Sequence, residues 1–505
     1  MNEHYLNKSL LYSEKIDNSL ISYSKEILNL PIKIIQFGEG NFIRAFFDYF
    51  IHKLNCNNLF NGRIAVIKPI KEGSLDKLIM QDCLFTLITA GIEKGEKIYK
   101  KEIISSIGKA IDAYSDWQDI LDLAKDVNIK VIVSNTTERG ISFNTSDKYD
   151  DKPPSTFPAK LTRLLHERYK LINCVDGFII LPLELIENNG IILKDVVLKY
   201  IDLWGLETSF KDWVSTSNLF LNTLVDRIVP GYPSKRAEEI FKEIGYRDNF
   251  LTLTEIYHLF AIEETRVVKD VLPFHKAGIN VVFSSDISKY RELKLRILNG
   301  AHTALVVIAL LENVQYVKDI FTDEKLNNCL NKIIFNEIVP TLSYDKELVL
   351  NFAKDVIERF KNPYIEHKWS DIFVNSITKF QTRLFPTMNK HYELYNSFPP
   401  LITFSYALLI YLLKDSKWID NKLIYSYNNN EIWLIEEASI LNDLHNLWQA
   451  YNRREISLNN LLDKILADSR LCSIDNTYIM PLKEIMAKNL NILLKKGFNL
   501  NGIII

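Results

Sequence analysis

Three side chains in the stretch KLRILNGAH, Lys294, Asn299 and His302, are of the kinds that move protons and hold oxygens, and they stand in an otherwise apolar run. If the stretch is helical at about 100° per residue, Asn299 lies about 140° and His302 about 80° from Lys294, so the three share one side. Eight residues at a rise of about 1.5 Å put Lys294 roughly 12 Å from His302 along the axis. A long lysine stem, or a helix beginning only after Lys294, has to close that gap. The chemistry such a trio suits is oxidation of a secondary alcohol or reduction of a ketone. A lysine whose pKa is lowered from about 10.4 by burial or a neighbouring cation can take the hydroxyl proton or return it. The Asn amide can donate to the oxygen as it becomes alkoxide-like, and the His can orient the same oxygen. No metal is required. The competing reading makes Lys294 and Arg296 solvated charges, Asn299-Gly300 a kink and His302 a core histidine, and only the rest of the chain separates the two.

A hydride acceptor or donor for that chemistry needs its own binding elements. Residues 32–37 form a short apolar, β-rich run that fits a buried strand. The run leads into Gly38-Glu39-Gly40-Asn41-Phe42 and then into a helical segment over 43–54. Strand, glycine turn and helix in that order suit the first unit of a dinucleotide-binding fold, where the glycines let the backbone approach a pyrophosphate at the helix N-terminus. The third position of G-x-G-x-x-G is Ile43, so the motif is incomplete and a turn without ligand stays open; Arg44 fits either a phosphate contact or an exposed helix charge. The second strand, over 63–70, ends in Ile67-Lys68-Pro69 without the acid that usually binds the adenosine ribose, and Lys68 would suit a 2′-phosphate. Further strands are expected at 84–90, 129–134 and 178–183, with helices at 116–125 and 159–170. That alternation points to a mostly parallel α/β sheet. Asn135, Thr136, Thr137 and Glu138 follow the strand at 129–134 and are candidate cofactor neighbours, because ligands sit at the carboxyl ends of strands in such sheets.

Residues 153–158, rich in proline, read as a rigid loop within the first domain. After a last strand at 280–284 the periodicity is helical to the end, over 292–311, 317–338, 345–360, 404–413 and 431–451, with 428–430 a short loop. The expected fold is therefore α/β: a Rossmann-like dinucleotide-binding domain over 1–285 followed by a mostly α-helical substrate and catalytic domain over 286–505. A chain of 505 residues exceeds what one hydrophobic core usually supports, which agrees. Apolar and charged contents of 47% and 25% are ordinary for a globular protein, and a net charge of -2 gives no reason to expect nucleic acid or an anionic membrane as partner. The five cysteines, Cys56, Cys83, Cys174, Cys329 and Cys472, are odd in number and widely spaced. They suggest reduced thiols in a cytoplasmic protein, not a zinc site or disulfide framework. The N-terminus lacks the apolar core of a signal peptide, and the most apolar run, 401–413, is too short to span a membrane.

These segments resemble, over most of the chain, the polyol-specific long-chain dehydrogenases, the mannitol dehydrogenase family. FGEGNFIRAF at 37–46 resembles the family's cofactor turn and VSNTTERGI at 133–141 its strand-end segment. NTLVDRIVPG at 222–231, with Asp226 and Arg227, and RFKNPYI at 359–365 also match, and KLRILNGAH matches the K-x4-N-x2-H signature at every specified position. The resemblance implies an NAD-dependent, metal-independent oxidoreductase, with NADP a weaker alternative. In it Lys294 is the general acid/base, Asn299 and His302 polarise the reacting oxygen, Gly38, Gly40, Asn41, Phe42, Arg44, Lys68, Asn135 and Thr136 surround the cofactor, and Asp226 and Arg227 lie near the substrate. One departure is Leu185, which stands where many members carry an Asn that completes the oxyanion site. NSITKFQTRLFP at 375–386 resembles the uronate reductases within the family, which implies a small ketouronate or aldonate substrate. Its carboxylate calls for cations, and Arg359, His367, Lys379 and Arg383 are the candidates. Another polyol reductase of the family is the nearest alternative. A nucleotide-binding sensor without turnover is a third, against which stands the intact catalytic trio.

Overall fold

The computed structural model describes residues 4–13, 16–136, 140–171, 176–420, 422–427 and 430–500. The expectations placed on Thr137, Glu138, Cys174 and the loop at 428–429 therefore fall outside the described residues. The chain divides into two compact units, Met1–Ser288 and Lys289–Ile505.

The first unit is built on strands β1 (Ile32–Phe37), β2 (Arg63–Lys68), β3 (Phe85–Glu93), β4 (Glu96–Ile104), β5 (Ile107–Asp112), β6 (Val131–Ser134), β7 (Ile179–Pro182) and β8 (Leu219–Phe220). Six of these form one parallel sheet in the order β5-β2-β1-β6-β7-β8. Counted by their succession in the chain the order is 3-2-1-4-5-6, the doubly wound dinucleotide-binding arrangement. Such strands must be apolar on both faces because helices cover both. Ile34, Val66, Val131, Val133 and Leu181 accordingly enter one core, while Ile35, Phe37, Ile67, Ile132 and Ile180 enter the other.

The segment at 84–90 was expected in this sheet and is not there. It is β3, paired antiparallel with β4. The turn between them, Lys94-Gly95, has both residues at positive φ (52° and 83°), the two-residue geometry that matches strand twist in a hairpin. β10 (Thr252–Thr254) adds to β3, and β9 (Thr223–Asp226), β11 (Leu259–Glu263) and β12 (Val281–Ser284) make a further small sheet.

The second unit is largely helical. Among the described residues, helix Ser288–Leu311 is long and apolar enough, by length and composition, to cross a membrane, and 78% of its most apolar window is buried within the protein. It packs on Pro400–Leu412, where the Ser405 hydroxyl donates to the Ala304 carbonyl. Buried Glu337 accepts from the amides of Leu401 and Ile402 at 2.8 and 2.9 Å, satisfying the exposed donors of that helix's first turn. The helical reading of 431–451 is only partly met. The helix is Ala438–Asn452, and it is preceded by an antiparallel sheet of β13 (Lys417–Ile419), β14 (Lys422–Tyr427) and β15 (Asn430–Leu434).

Candidate active site

At the carboxyl ends of β1 and β6 the strand order reverses, and a cavity of about 410 Å³ opens there. Gly38, Glu39, Gly40, Asn135, Thr136 and Phe157 are among its lining. Gly38 has φ +109°, and a Cβ on it would lie 2.6 Å from the Asn135 carbonyl oxygen, so only glycine lets the two strand ends meet. At Gly40 a Cβ would meet nothing within 4 Å. The room there is thus not demanded by the protein's own packing, as befits a place where a pyrophosphate approaches the backbone. The helical stretch that follows, 41–56, begins on Asn41 without a side-chain cap, leaving its first amides for an anion. Asn41 is held from behind by Gly231 of the VPG segment, whose missing Cβ would sit 2.6 Å from the Asn41 amide nitrogen, and Phe42 stacks on Phe46 at 5.1 Å. Asn135 Nδ2 donates to the Leu183 carbonyl at 3.3 Å.

Three cations read from the sequence as ligand contacts have other work. Arg44 is buried, donating to the Glu39 carbonyl and, at 2.7 Å, to Asn41 Oδ1, with its guanidinium 5.0 Å from the Phe250 ring centre. It braces the turn from inside and is neither a phosphate contact nor an exposed charge. Lys68 is 1% exposed. Its ammonium donates to the carbonyls of Ile70, Lys71 and Glu72 at 2.8 to 3.2 Å and pairs with Asp112 at 3.0 Å. With more acceptors than its three protons, it closes its own loop and offers no charge to a 2′-phosphate. Arg227 donates to the carbonyls of Ala45 and Glu255, and Asp226 is buried in β9 opposite Leu259. Leu185 is 61% exposed, while its neighbour Glu184 is buried and accepts from Ser134 Oγ and from the amide and hydroxyl of Thr136. Glu184 thereby fixes the second strand end at the cavity, a role the sequence reading missed.

In the second unit Lys294–Asn299 is a π-helical segment leading into the α-helix Gly300–Leu311. Bonding five residues apart winds the chain less per residue, so Asn299 returns closer to the Lys294 side than an α-helix would bring it. Lys294 and Asn299 are half-buried and His302 is buried. The His302 ring stacks on Phe360 at 4.0 Å and meets His367 edge-on at 5.0 Å. Burial, with the charges of His367, Arg383 and Arg359 around it, presses its pKa well below the ordinary value. A hydrogen bond with the Leu298 backbone steadies the ring, and Nε2 has no partner among the described residues.

Arg359, His367 and Arg383 act on the charge of His302, and Lys379 in turn acts on His367, whose own pKa burial lowers. Arg383 Nη1 donates to Thr303 Oγ1 at 3.1 Å and faces the Asn299 carbonyl at 3.5 Å, and burial lowers its pKa to about 10. Lys379 donates to the carbonyls of Ile372 and Val374, and burial, aided by Arg383, lowers its pKa to about 8. Among the described residues, the hydrogen-bond partners of both are neutral oxygens. Trp369 adds a buried indole N–H without a partner, 6.0 Å from His302 between ring centres. No group of three or more His, Cys, Asp or Glu able to hold a metal ion occurs among the described residues.

A doubly wound sheet with a glycine turn at its switch point, and a second unit presenting lysine, asparagine and histidine on one helix, defines a nicotinamide-dependent oxidoreductase of CH–OH groups. The comparisons agree. Residues 32–276 match the mannitol dehydrogenase Rossmann domain and 286–430 the mannitol dehydrogenase C-terminal domain. The altronate oxidoreductase of Halalkalibacterium halodurans is 36% identical over 492 residues, 96% of each chain. That of Bacillus subtilis is 37% identical over 463 residues, 91% of this chain and 92% of the relative. Among solved structures, a D-sorbitol dehydrogenase superposes with a TM-score of 0.80 at 19% identity, over 98% of this chain and 99% of that one. Pseudomonas fluorescens mannitol 2-dehydrogenase, solved with NAD and D-mannitol, gives 0.69 at 19% identity, over 98% and 97%. The chain belongs to the mannitol dehydrogenase family.

Proposed function

We propose that the protein interconverts D-tagaturonate and D-altronate with NAD(H), in the cytoplasm, as a step of hexuronate breakdown. The observation that carries the substrate class is the pair Lys379 and Arg383, two poorly solvated cations whose hydrogen-bond partners are neutral, beside the catalytic helix. Arg383 has no acidic partner among the described residues and Lys379 only the field of Glu436; desolvating charge so thinly countered is costly, and a substrate carboxylate supplies the counter-charge. The altronate oxidoreductase names of the relatives support the same choice.

The glycine turn, the helix amides after Gly40, and Asn135 and Thr136 would hold the dinucleotide, which when bound supplies or accepts the hydride. With Lys68 spent on its own loop, none of the described cavity-lining residues is a cation and one, Glu39, is an acid; that favours NAD over NADP. In reduction Lys294 gives its proton to the ketone oxygen, and in oxidation it takes the proton back. The Asn299 amide donates to that oxygen as charge develops. His302 Nε2 accepts from the substrate hydroxyl or the lysine ammonium and so orients them, and no metal enters. The test is an absorbance assay of the purified protein with tagaturonate, fructuronate and fructose against NADH and NADPH. Tagaturonate with NADH should be fastest. A preference for fructuronate would move the protein to the neighbouring activity, and one for fructose would remove the role given to the cations.

A further inference from the structure

Two buried side chains outside the cavity lining control the backbone of the glycine turn. Gln36, on β1, is fully buried, and its Nε2 donates to the Gly38 carbonyl at 3.0 Å. Arg44, one turn into the following helix, donates through Nη1 to the Glu39 carbonyl. A trans peptide is planar, with its C=O and N–H on opposite sides. Drawing the Gly38 carbonyl inward therefore turns the Glu39 amide outward, and drawing the Glu39 carbonyl inward does the same to the Gly40 amide. The next carbonyl, Gly40, accepts the Arg44 amide at 3.2 Å as the helix starts, which aims the Asn41 amide along the same end. Three successive amides then face one side, the first of them also engaged by the Glu39 carboxylate, in the concave arrangement that binds anions. The Gly38 amide is excluded from the set because it donates to the Ile67 carbonyl at 2.9 Å.

Other contacts hold the two side chains in register. Asp48, fully buried in the π-helical segment Arg44–Asp48, accepts from Gln36 Nε2 at 3.4 Å. Arg44 is also fixed by Asn41 Oδ1 and lies against the Phe85 and Phe250 rings.

We infer that Gln36 and Arg44 are positioning residues for the cofactor's pyrophosphate, acting through the peptide planes of Gly38-Glu39-Gly40. The inference rests on the dinucleotide reading above and gives Gln36, outside the quoted cofactor turn, and Arg44, within it, a role through the backbone and not through direct contact with the phosphate. The test measures Kd for NADH, ADP-ribose and adenosine, with kcat at saturating NADH, in the full chain and in Gln36→Met and Arg44→Lys. Losing one such hydrogen bond should weaken NADH and ADP-ribose about 5- to 30-fold in each variant. Adenosine, which has no phosphate, should change less than about twofold, and kcat should hold within about threefold. Arg44→Lys keeps the buried charge but cannot span Glu39 and Asn41 together, so it guards against simple misfolding in a variant lacking the cation. Equal weakening of adenosine and NADH would assign the residues a general structural role and overturn the inference. So would NADH affinity unchanged in both variants. A wild-type protein that binds no dinucleotide would sink the functional reading itself, which separates the two failures.

Discussion

Replacing Arg383 by Gln removes one cation from the second unit's cluster while keeping a donor for Thr303 Oγ1, which the guanidinium reaches at 3.1 Å. A hydrogen bond from a charged group contributes roughly 1.5–3 kcal/mol. At about 1.4 kcal/mol per decade, kcat/KM for tagaturonate should fall about 10- to 150-fold. Neutral polyols lack the carboxylate, so the inhibition constant of altritol should move less than about threefold by the same reasoning. Stability should respond in the opposite direction. The arginine has no acidic hydrogen-bond partner among the described residues, and burial already lowers its pKa. Removing an unpaired, desolvated cation relieves a cost, so Tm without substrate should stay level or rise. The assays are initial rates on tagaturonate, altritol inhibition and thermal unfolding. Equal losses for the charged and neutral ligands, or a Tm drop without any change in tagaturonate kinetics, would show that Arg383 is a packing residue.

The other expectations concern both units. Gly40→Ala should fold normally, since among the described residues its Cβ meets no atom within 4 Å, yet raise KM for NADH at least tenfold because the methyl enters the space left for phosphate; unaltered KM would place the pyrophosphate elsewhere. Lys68→Met should lower Tm and leave the NADH to NADPH ratio of kcat/KM unchanged, because the ammonium serves the carbonyls of Ile70, Lys71 and Glu72. A shifted cofactor ratio would restore Lys68 to the ribose. Lys379, with a pKa lowered by burial to about 8, is cationic below that pH and loses its charge as pH rises through it. KM for tagaturonate should therefore climb several-fold from about pH 7 to about pH 9 and stay flatter in Lys379→Arg, whose guanidinium remains charged; identical profiles would remove Lys379 from carboxylate binding.

What could be read from the sequence followed a physical rule. The 32–37 run, apolar on both faces, can only be a covered parallel strand, and the glycines after it limit what the turn can be. The π-helical winding at Lys294 left no trace in composition, so the geometry between Lys294 and Asn299 was set by an α-helical rule that does not hold there. Charged residues were the least legible. Arg44, Lys68 and Arg227 looked like ligand contacts because a sequence does not show which cations are buried against backbone carbonyls. The apolar composition of 84–90 carries no mark of which sheet it joins, and the Lys94-Gly95 turn after it, with both residues at positive φ, pairs it antiparallel with β4. Arg359, His367 and Arg383 meet His302, and Lys379 meets His367 and Arg383, from positions some 57 to 81 residues beyond His302 in the chain. No periodicity links such distant residues, and only the family resemblance suggested them.

The central claim is that Lys294 carries the proton in a nicotinamide-linked reduction of a ketouronate. It is tested most directly by measuring kcat with tagaturonate and Kd for NADH in Lys294→Ala. A general acid–base group contributes on the order of 10²–10⁴ in rate, so turnover should nearly vanish while NADH affinity stays within a few-fold of wild type. Retention of more than about a tenth of wild-type kcat would contradict the account, because that residual rate is too high for an enzyme without its proton carrier.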